Sequence, residues 1–450
     1  MNFYTMLQRR ASTGRPVKVG VIGAGKFSAM FLSQARLVPG LQVMGIAELE
    51  SQKVFDALER TGWDDGIAEN AVSAGLINDA AARGRIGVCP SAMEVIASDC
   101  EVILEITGHP EHGTQHALAA IEAGKHIVMV TVEADCLVGP VLKKKAEEKG
   151  VVYSMAYGDQ PALIMEQIDW ARTVGFEVVC AGKGTRYQPE YHFSTPQTVW
   201  GFYGFSEEQV AGGDYNAQMF NSFLDGSKSA IEMCAVANAS GLRPQAEGLT
   251  FPPVGAEELA ERLKPEQDGG LLDRDGTVEV IASEHRDGSA VEGDLRWGVY
   301  IIIRAPNSYV ESCFRDYGMK TDATGRYSAL YRPYHYIGLE LGISVASAAL
   351  RNEPTGTSLD FVADVATAAK RDLQPGDVLD GEGGYTVFGK LIGAEESLAR
   401  GCLPLGLTGE AKVTRPVAKG EHLTYADVSL DPSGAAYKLR KQMERGEHLT

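Results

Sequence analysis

A cluster of charged and amide side chains interrupts the apolar stretch "FNSFLDGSKSAIEM", residues 220–233. If residues 220–240 form one helix, the turn of 100° per residue brings Asn221, Asp225, Lys228 and Glu232 into a sector about 60° wide. A lysine on that face can donate to a carbonyl or hydroxyl oxygen, and the acids can relay protons or bind a divalent ion. The same pattern also fits an ion-paired helix face in water, or a helix capped by Asp225.

Other basic side chains occur on two segments farther along the chain. "AGKGTRYQPEYH" contains Lys183, Arg186 and His192, and "YRPYHY" contains Arg332 and His335. The protein has a net charge of −18, so an anionic substrate would need a local basic pocket. We therefore predict that these segments bind an anionic substrate; basic loops without a ligand are the alternative. The predicted substrate-binding residues are Asn221, Ser222, Arg186, His192, Arg332 and His335.

A glycine turn near the N-terminus joins an apolar run to an amphipathic one in "VKVGVIGAGKFSAMFLSQARLV". Glycines allow a tight turn and a close approach of the backbone to a pyrophosphate, whose charge is favoured at the N-terminus of a helix. The pattern predicts a dinucleotide-binding turn; a tight turn that binds nothing is the alternative. The turn consists of Gly23, Ala24, Gly25, Lys26, Phe27 and Ser28.

An acid at the end of the next predicted strand, Glu48, is typical of NAD-binding sites, because it bonds the ribose hydroxyls. Ser51, Gln52 and Lys53 follow it and could hold the 2′-phosphate of NADP if Glu48 turns away. The sequence pattern therefore leaves the choice between NAD and NADP open.

Two later predicted strands end in polar residues. "LEITGHP" supplies Thr107 and Gly108, and "VMVTVEAD" supplies Thr131 and Glu133. Ligands of an open parallel sheet bind in the crevice at the carboxyl ends of its strands. We therefore expect these residues beside the nicotinamide.

The alternation of short β-branched runs with helices predicts an α/β chain whose first domain, residues 1–160, is a Rossmann-like, doubly wound parallel sheet. Residues 161–352 contain strands and helices in separate groups, which favours an α+β catalytic domain. Two similar Gly-rich segments in residues 353–450 favour a small β-rich domain.

Composition narrows the class of protein. Apolar residues make up 44% of the chain and charged residues 23%, and no apolar run is long enough to span a bilayer. The acidic net charge disfavours nucleic acid and anionic membranes as partners. The seven cysteines are scattered without C-x-x-C pairs, which favours a reducing, cytoplasmic location.

The motifs together carry a resemblance that covers nearly the whole chain. "VGVIGAGKFS", "LEITGHP", "AIEAGKHIVMVTVEAD", "YGDQP", "AGKGTRYQPEYH" and "NSFLDGSKSAIEM" resemble the homoserine-dehydrogenase-like oxidoreductases that end in an SAF domain. Within that group the chain is most similar to the 1-deoxy-D-xylulose 5-phosphate reductoisomerase-like (DRL) enzymes. The closing "AKRDLQPGDVL" and "RPVAKGEHLTYADVSL" are similar to the two halves of an SAF module.

The resemblance implies rearrangement of 1-deoxy-D-xylulose 5-phosphate and its reduction by NADPH, with Mg²⁺ or Mn²⁺, to 2-C-methyl-D-erythritol 4-phosphate, on the route to isoprenoids. It implies Lys228 as the proton donor or carbonyl polariser, with Asp225, Glu232 and Lys183 as further catalytic residues, and a homodimer or higher homo-oligomer. Asp225 and Glu232 are the predicted metal ligands. The ordinary reductoisomerases carry Asp-x-Glu and Asn-Lys-x-x-Glu motifs, whereas this chain has Glu133-x-Asp135 and a different Lys228 to Glu232 spacing.

Two other functions fit the same residues. One is an NAD(P)-dependent dehydrogenase of a sugar acid or an amino-acid-derived alcohol, which needs no rearrangement and no phosphate pocket. The other is a non-catalytic nucleotide sensor or carbohydrate-binding protein. The lysine and acid face disfavours the second, because buried charge without a function is costly.

Overall fold

The computed structural model describes residues 2–212 and 215–447. The chain forms two compact units. Unit 1 contains the described residues up to Leu163, the segment Tyr336–Ser358 and the described residues from Leu439 onward; unit 2 contains Ile164–His335 and Leu359–Lys438. The chain therefore passes from unit 1 to unit 2 and back more than once.

The strands, in chain order, are β1 (Val17–Ile22), β2 (Leu41–Ala47), β3 (Ala68–Asn70), β4 (Ile86–Cys89), β5 (Val102–Glu105), β6 (His126–Met129), β7 (Tyr153–Met155), β8 (Glu177–Thr185), β9 (Arg243–Pro244), β10 (Thr277–Ala282), β11 (Val299–Arg304), β12 (Lys320–Thr321), β13 (Tyr327–Arg332), β14 (Ala363–Ala369), β15 (Val387–Gly393), β16 (Lys412–Val413) and β17 (Val428–Ser429).

The α-helices are α1 (Phe3–Ser12), α2 (Lys26–Ala35), α3 (Ser51–Arg60), α4 (Ala74–Ala82), α5 (Ala92–Ala97), α6 (Pro110–Glu122), α7 (Val132–Lys149), α8 (Gln160–Thr173), α9 (Val199–Tyr203), α10 (Glu207–Gly212), α11 (Ala217–Leu224), α12 (Ser227–Ser240), α13 (Leu259–Arg262), α14 (Ser308–Asp316), α15 (Gly342–Arg351), α16 (Ala394–Arg400) and α17 (Ala435–Glu444). Within the described part of the chain, none of these helices combines the length and apolarity that crossing a bilayer requires.

Unit 1 is built on a seven-stranded parallel sheet with the order β3-β4-β2-β1-β5-β6-β7. Its central strands β1 and β5 are mostly apolar and, apart from half-buried Lys18, buried, as expected for a parallel sheet covered by helices on both faces. The strand order reverses at β1, so the ligand crevice of such a sheet lies at the carboxyl ends of β1 and its neighbours. The predicted α/β fold with a doubly wound sheet is confirmed.

A later segment of the chain completes the core of unit 1. The apolar stripe of α15, with Leu341, Val345 and Ala346, packs into the same core as Phe31 and Val19. The sequence analysis grouped this segment with residues 161–352, because its apolar spacing indicates a helix but does not indicate which sheet that helix covers.

Unit 2 contains a six-stranded mixed sheet with the order β12-β13-β11-β8-β10-β9. β8 is parallel to β10, and β11 is antiparallel to both β8 and β13. The predicted mixture of strands and helices in this part of the chain agrees with this arrangement. One end of the sheet holds the carboxyl ends of β8, β10 and β13 and the start of β11.

The C-terminal part of unit 2 is rich in short strands. β14 pairs with β15 and β16 with β17, each antiparallel. The two similar segments face each other: the N–H of Leu373 donates to the carbonyl of Val417 at 2.8 Å, and the N–H of Val417 donates to that of Leu373 at 3.1 Å. Residues 359–438 share a compact unit with residues 164–335; a separate SAF-like domain over 353–450 stays a prediction.

Candidate active site

The glycine turn lies between β1 and α2. Gly23 has a φ of +100°, and a Cβ there would lie 3.0 Å from the carbonyl oxygen of Ile106, so a side chain does not fit. A Cβ on Gly25 would meet no protein atom within 4 Å. The hydroxyl of buried Ser28 donates to the carbonyl of Gly23 at 2.5 Å and closes the turn. The open backbone at the start of α2 fits a pyrophosphate.

The predicted coenzyme residues around this turn differ in exposure. Lys26 is exposed, Phe27 is half-buried and Ala24 is buried. The carboxylate of half-buried Glu48 accepts a hydrogen bond from the backbone N–H of Ala24 at 3.0 Å. Glu48 is therefore held at the turn, where an acid can bond the ribose hydroxyls of a dinucleotide.

The alternative 2′-phosphate ligands beyond Glu48 have other partners. The ammonium of Lys53 forms an exposed ion pair with Glu50 at 2.8 Å, and the amide of Gln52 donates to Asp56 at 2.7 Å. An exposed pair of this kind contributes little stability and can separate. Glu48 thus lies where it can bond ribose hydroxyls, and Lys53 can leave Glu50 to reach a 2′-phosphate, so both coenzymes fit this turn.

A fully buried carboxylate, Glu105, joins the polar residues at the ends of β5 and β6. It accepts hydrogen bonds from the hydroxyls of Thr107, at 2.6 Å, and of Thr131. The Nδ1 atom of His116 lies 3.1 Å from the same carboxylate, and the hydroxyl of Thr131 accepts the N–H of Gly108 at 2.9 Å. Glu105 therefore brings the predicted residues Thr107, Gly108 and Thr131 together at the crevice.

The Glu133-x-Asp135 motif lies in the first turn of α7, and both side chains are buried. Asp135 accepts hydrogen bonds from the hydroxyls of Tyr153, at 2.8 Å, and Ser358, at 2.9 Å. Burial raises the pKa of Asp135 to about 6. Asp135 thus anchors the returning segment of unit 1, and a coenzyme-binding role of Glu133 stays a prediction.

The predicted single helix over residues 220–240 is wrong. α11 ends at Leu224, α12 begins at Ser227, and Gly226 between them has a φ of +86°. Such a left-handed residue cannot continue a right-handed helix. The 60° sector computed for a continuous helix does not apply, because Asn221 and Lys228 lie on different helices.

Asp225 is a fully buried junction between three segments. One carboxylate oxygen lies 2.7 Å from the ammonium of Lys370, and the other accepts the N–H of Ser227 at 2.8 Å. Its backbone carbonyl accepts the Nδ1–H of His192 at 2.8 Å. Burial raises the pKa of Asp225 in spite of Lys370. Asp225 therefore fixes the start of α12, and both of its carboxylate oxygens are engaged.

His192 is enclosed by aromatic rings. Its Nε2 accepts from the hydroxyl of Tyr187 at 3.0 Å, since Nδ1 carries the proton donated to the carbonyl of Asp225. The ring stacks on that of Phe388, with 4.8 Å between the ring centres. Burial lowers the pKa of His192 to about 4, so the ring is neutral near pH 7 and supplies no positive charge to an anion.

Lys183 and Glu232 form a second buried ion pair. Lys183 lies in the middle strand β8, between Gly182 and Gly184. A Cβ on Gly182 would lie 1.7 Å from the carbonyl oxygen of Glu279, and one on Gly184 would lie 2.0 Å from that of Leu295. The glycines of "AGKGT" therefore allow neighbouring backbone to press against β8, and Lys183 reaches Glu232 on α12.

Lys228 differs from every other residue of α12. All remaining residues of this helix are buried, whereas Lys228 is half-buried. Lys228 and Glu232 are four residues apart on one helix, so both lie on the same face. The helix thus presents one ammonium group from an otherwise buried surface.

Asn221 and Ser222 are bonded to other segments of unit 2. The amide of fully buried Asn221 donates to the carbonyls of Ser194, at 3.1 Å, and Gly383, at 2.8 Å. The hydroxyl of Ser222 donates to the carboxylate of Glu382. These contacts tie α11 to two loops, and a role of either residue in substrate binding stays a prediction.

Arg186, Arg332 and His335 gather at one end of the unit 2 sheet. Arg186 donates to Glu284 and to the carbonyl of Phe202, both at 2.5 Å. Arg332 ends β13, opposite Val299. The Nδ1 of His335 donates to the carbonyl of Trp297 at 2.7 Å. The structure therefore brings these three predicted residues to the end of the sheet where Lys183 lies.

Residues 158–341 match the family model described as "Oxidoreductase DRL, catalytic domain". This range includes Lys183, Lys228 and Glu232, and the dinucleotide turn of unit 1 precedes it. The segment that carries the buried pair of Lys183 and Glu232 is thus similar to an oxidoreductase catalytic domain.

Solved structures of oxidoreductases match the chain at low identity. The putative oxidoreductase YvaA of Bacillus subtilis is 14% identical over 75% of this chain and 89% of that chain, with a TM-score of 0.36. The 1-deoxy-D-xylulose 5-phosphate reductoisomerase of Zymomonas mobilis, in complex with NADPH, is 14% identical over 74% and 80%, with a TM-score of 0.37.

The biliverdin reductase of Synechocystis sp. PCC 6803, in complex with biliverdin and NADP⁺, is 19% identical over 38% of this chain, with a TM-score of 0.26. The chain spans about half of the length of that protein, 48%. No curated protein matches the chain.

The surroundings of Asp225 and Glu232 do not fit the predicted Mg²⁺ or Mn²⁺ site. Asp225 is paired with Lys370 and Glu232 with Lys183, so an ammonium group already lies where a cation would bind. Among the described residues no group of three or more histidine, cysteine or acidic side chains is placed to hold a metal ion. The prediction named Lys183 but did not pair it with Glu232, and it did not select Lys370, because these lysines come from β8 and from the segment after β14.

The sequence analysis did not select two further buried residues, Glu105 and Lys370. Glu105 ends a buried apolar strand, and a charged residue in that position is a signal of a bonded carboxylate. Lys370 is almost completely buried, and its ammonium also donates to the carbonyls of Ser194, at 2.8 Å, and Gly384, at 2.7 Å. No local pattern singles out Lys370.

Proposed function

We propose that the enzyme is an NADPH-dependent reductoisomerase that converts 1-deoxy-D-xylulose 5-phosphate to 2-C-methyl-D-erythritol 4-phosphate. The observation that carries the proposal is Lys228, the one residue of α12 that is not buried, within the segment that matches the DRL catalytic domain. A positioned ammonium next to buried ion pairs is suited to polarising a carbonyl group.

Lys228 and Lys183 have different roles in the proposed reaction. The ammonium of Lys228 donates a hydrogen bond to the carbonyl oxygen during the rearrangement, in which one carbon–carbon bond forms and another breaks. It then gives a proton to the aldehyde oxygen, which becomes a hydroxyl. The nicotinamide coenzyme, when bound, supplies the hydride to the aldehyde carbon. Lys183 pairs with Glu232 and so fixes the face of α12 that carries Lys228.

The second candidate is a dehydrogenase of a sugar acid or an amino-acid-derived alcohol. It is favoured by the engagement of Asp225 and Glu232 with lysines, because hydride transfer to a carbonyl needs only a coenzyme and a proton donor. The position of Glu48 at the glycine turn also makes NADH a coenzyme to test beside NADPH.

The test follows the absorbance of the reduced coenzyme with 1-deoxy-D-xylulose 5-phosphate, with NADPH and NADH in parallel and with or without Mg²⁺ or Mn²⁺. We expect oxidation that depends on this substrate. Absence of oxidation, with coenzyme binding intact, would replace the proposal with the dehydrogenase and lead to a screen of sugar acids.

Lys228→Gln is expected to lower kcat by about 10²–10⁴-fold, because the variant cannot donate a proton, while coenzyme affinity stays unchanged. Lys412→Gln, at an exposed lysine of β16, is the matched control and should retain full activity. A Lys228→Gln enzyme as active as the control would refute the assigned role of Lys228.

A further inference from the structure

The end of the unit 2 sheet that holds Lys183 is also the basic end of an acidic protein. Lys183 and Arg332 both pair with Val299 at the start of β11. Arg186 follows β8, and Arg296 precedes β11. Acids outnumber bases by 60 to 42 in the chain, so a cation can easily be engaged by an acid of the protein. An anionic ligand needs one of these cations to be available.

Arg186 is neutralised within the protein. Its Nε donates to the carboxylate of Glu284 and its Nη1 to the carbonyl of Phe202. The hydroxyl of Tyr191 also donates to Glu284, at 3.1 Å. Lys183 is likewise paired with Glu232. These two cations hold the framework of the unit and have little free charge to offer.

Arg296 has a different environment. Its guanidinium carbon lies 4.7 Å from the centre of the Trp297 ring and 5.9 Å from that of Tyr203. Asp294, two residues earlier, accepts the backbone N–H of Arg296 at 2.9 Å. Within residues 2–212 and 215–447, no carboxylate forms an ion pair with its guanidinium. Arg296 is therefore a half-buried cation supported by rings, with its donors available.

The turn that carries Arg296 is held firmly. The N–H of Gly298 donates to the carbonyl of Leu295 at 2.9 Å, and the N–H of Gly184 donates to that of Gly298 at 3.1 Å. His335 donates to the carbonyl of Trp297. The guanidinium is thus presented from a fixed backbone, which lowers the entropy cost of binding a ligand.

Tyr203 connects this turn with the start of α12. Arg186 lies as far from its ring as Arg296 does, 5.9 Å. Burial raises the pKa of the Tyr203 hydroxyl, nearby Arg296 and Arg186 lower it, and Asp225 raises it. The Tyr203 ring also lies 5.5 Å from that of Phe220 in α11, which ends next to Asp225, so the basic turn and the Asp225 junction belong to one neighbourhood.

We infer that Arg296, whose guanidinium lies over the rings of Trp297 and Tyr203, binds the phosphate group of a phosphate monoester substrate. A planar guanidinium bonds two phosphate oxygens at once, and the rings fix its plane. The inference rests on the proposed function, because it assigns the phosphate of that substrate to a residue that the sequence analysis did not select.

The first test needs no turnover. Inorganic phosphate is titrated calorimetrically into the full-length protein saturated with NADP⁺ or NAD⁺, so that the glycine turn is occupied. We expect binding to the wild type, binding at least about tenfold weaker in Arg296→Gln, and partial recovery in Arg296→Lys. Arg243→Gln, at an exposed arginine of unit 2, is the control and should match the wild type.

The second test is kinetic. Arg296→Gln should raise KM for the phosphorylated ketose by about tenfold or more, with kcat and the coenzyme KM nearly unchanged. Lack of phosphate binding by the wild type, or equal binding by Arg296→Gln with an unchanged melting temperature, would overturn the inference. If the enzyme instead turns over an unphosphorylated substrate, the proposed function fails, and the phosphate titration still decides on Arg296.

Discussion

Glu105 shows how one buried carboxylate can order a binding crevice. It accepts bonds from Thr107, Thr131 and His116, which come from the ends of β5 and β6 and from α6. A buried carboxylate is tolerated only when donors surround it, so the segments that supply these donors are held together. The predicted nicotinamide end of the crevice therefore depends on a residue that we do not expect to touch the coenzyme.

Glu105→Gln is expected to weaken coenzyme binding by roughly tenfold, because the amide brings two N–H donors to a place where donors already converge. Binding is measured by calorimetry with NADPH and NADH. Gly25→Val is the reference for complete loss, since its side chain enters the open space at the turn. Glu122→Gln, in an exposed ion pair with Lys149, is the control. Unchanged binding by Glu105→Gln would contradict this role.

Burial, and not a neighbouring cation, controls the protonation state of Asp135. Its folded pKa, about 6, is raised from the ordinary 3.8, so the folded state binds the proton more tightly than the unfolded state. The contribution of Asp135 to stability is present below the ordinary pKa and is lost as the pH rises toward about 6.

Asp135→Asn should therefore raise the free energy of unfolding at about pH 8, by about 1–3 kcal/mol, and by about half as much at about pH 5. The asparagine carbonyl can accept from Tyr153 and Ser358, and its amide can donate to the hydroxyl of Ser358. Urea unfolding at both pH values measures the difference. Asp99→Asn, at an exposed residue, is the control. A variant that is destabilised at both pH values would show that the carboxylate itself is needed.

At the scale of elements, the break between α11 and α12 decides where Lys228 lies. Gly226 turns the chain, the carboxylate of Asp225 accepts the N–H of Ser227, and His192 packs against the turn. A Cβ on Gly226 would lie 3.2 Å from the ring of His192. Local backbone geometry is thus coupled to the position of the proposed proton donor.

Gly226→Ala is expected to destabilise the protein by about 1–2 kcal/mol for its left-handed φ alone and to lower kcat, because the start of α12 must shift away from His192. Gly241→Ala is a matched control: Gly241 ends α12 with a φ of +75° and has no neighbour within 4 Å. Thermal melts and kcat are compared for both variants. Equal kcat in the two would show that the turn does not position Lys228.

At the scale of the whole molecule, residues 359–438 form part of the unit that carries the candidate site. Asn238 of α12 accepts the N–H groups of Val362 and Ala363 at 2.8 and 2.9 Å. The hydroxyl of Ser227 accepts the N–H of Gly389 at 2.9 Å, and Lys370 reaches Asp225. The buried face of α12 is thus supplied with partners by the C-terminal segment.

We expect residues 359–438 to unfold together with residues 164–335. Native-state hydrogen exchange should give the amides of Val362 and Ala363 the same opening free energy as those of α12. Asn238→Ala leaves the N–H groups of Val362 and Ala363 without this acceptor. It should lower the opening free energies of these amides and of the α12 amides by about 2–4 kcal/mol. Earlier exchange of residues 359–438 as a separate group would support an independent C-terminal domain.

The sequence by itself determined the features that depend on neighbours along the chain. The glycine turn, the alternation of strands and helices and the residues at the ends of strands β5 and β6 follow from local backbone preferences and from the periodicity of apolar residues. These were sufficient to predict the doubly wound sheet and the crevice beside Thr107 and Thr131.

Only the tertiary structure decided which charges meet. Lys370 reaches Asp225, Lys183 reaches Glu232, and α15 returns to the sheet of unit 1. Coulomb attraction in a buried site depends on distance in space and on desolvation, and neither quantity is encoded by spacing along the chain. The sequence therefore identified the acids of the site but could not assign the lysines that bind them, and so could not distinguish a metal site from a set of ion pairs.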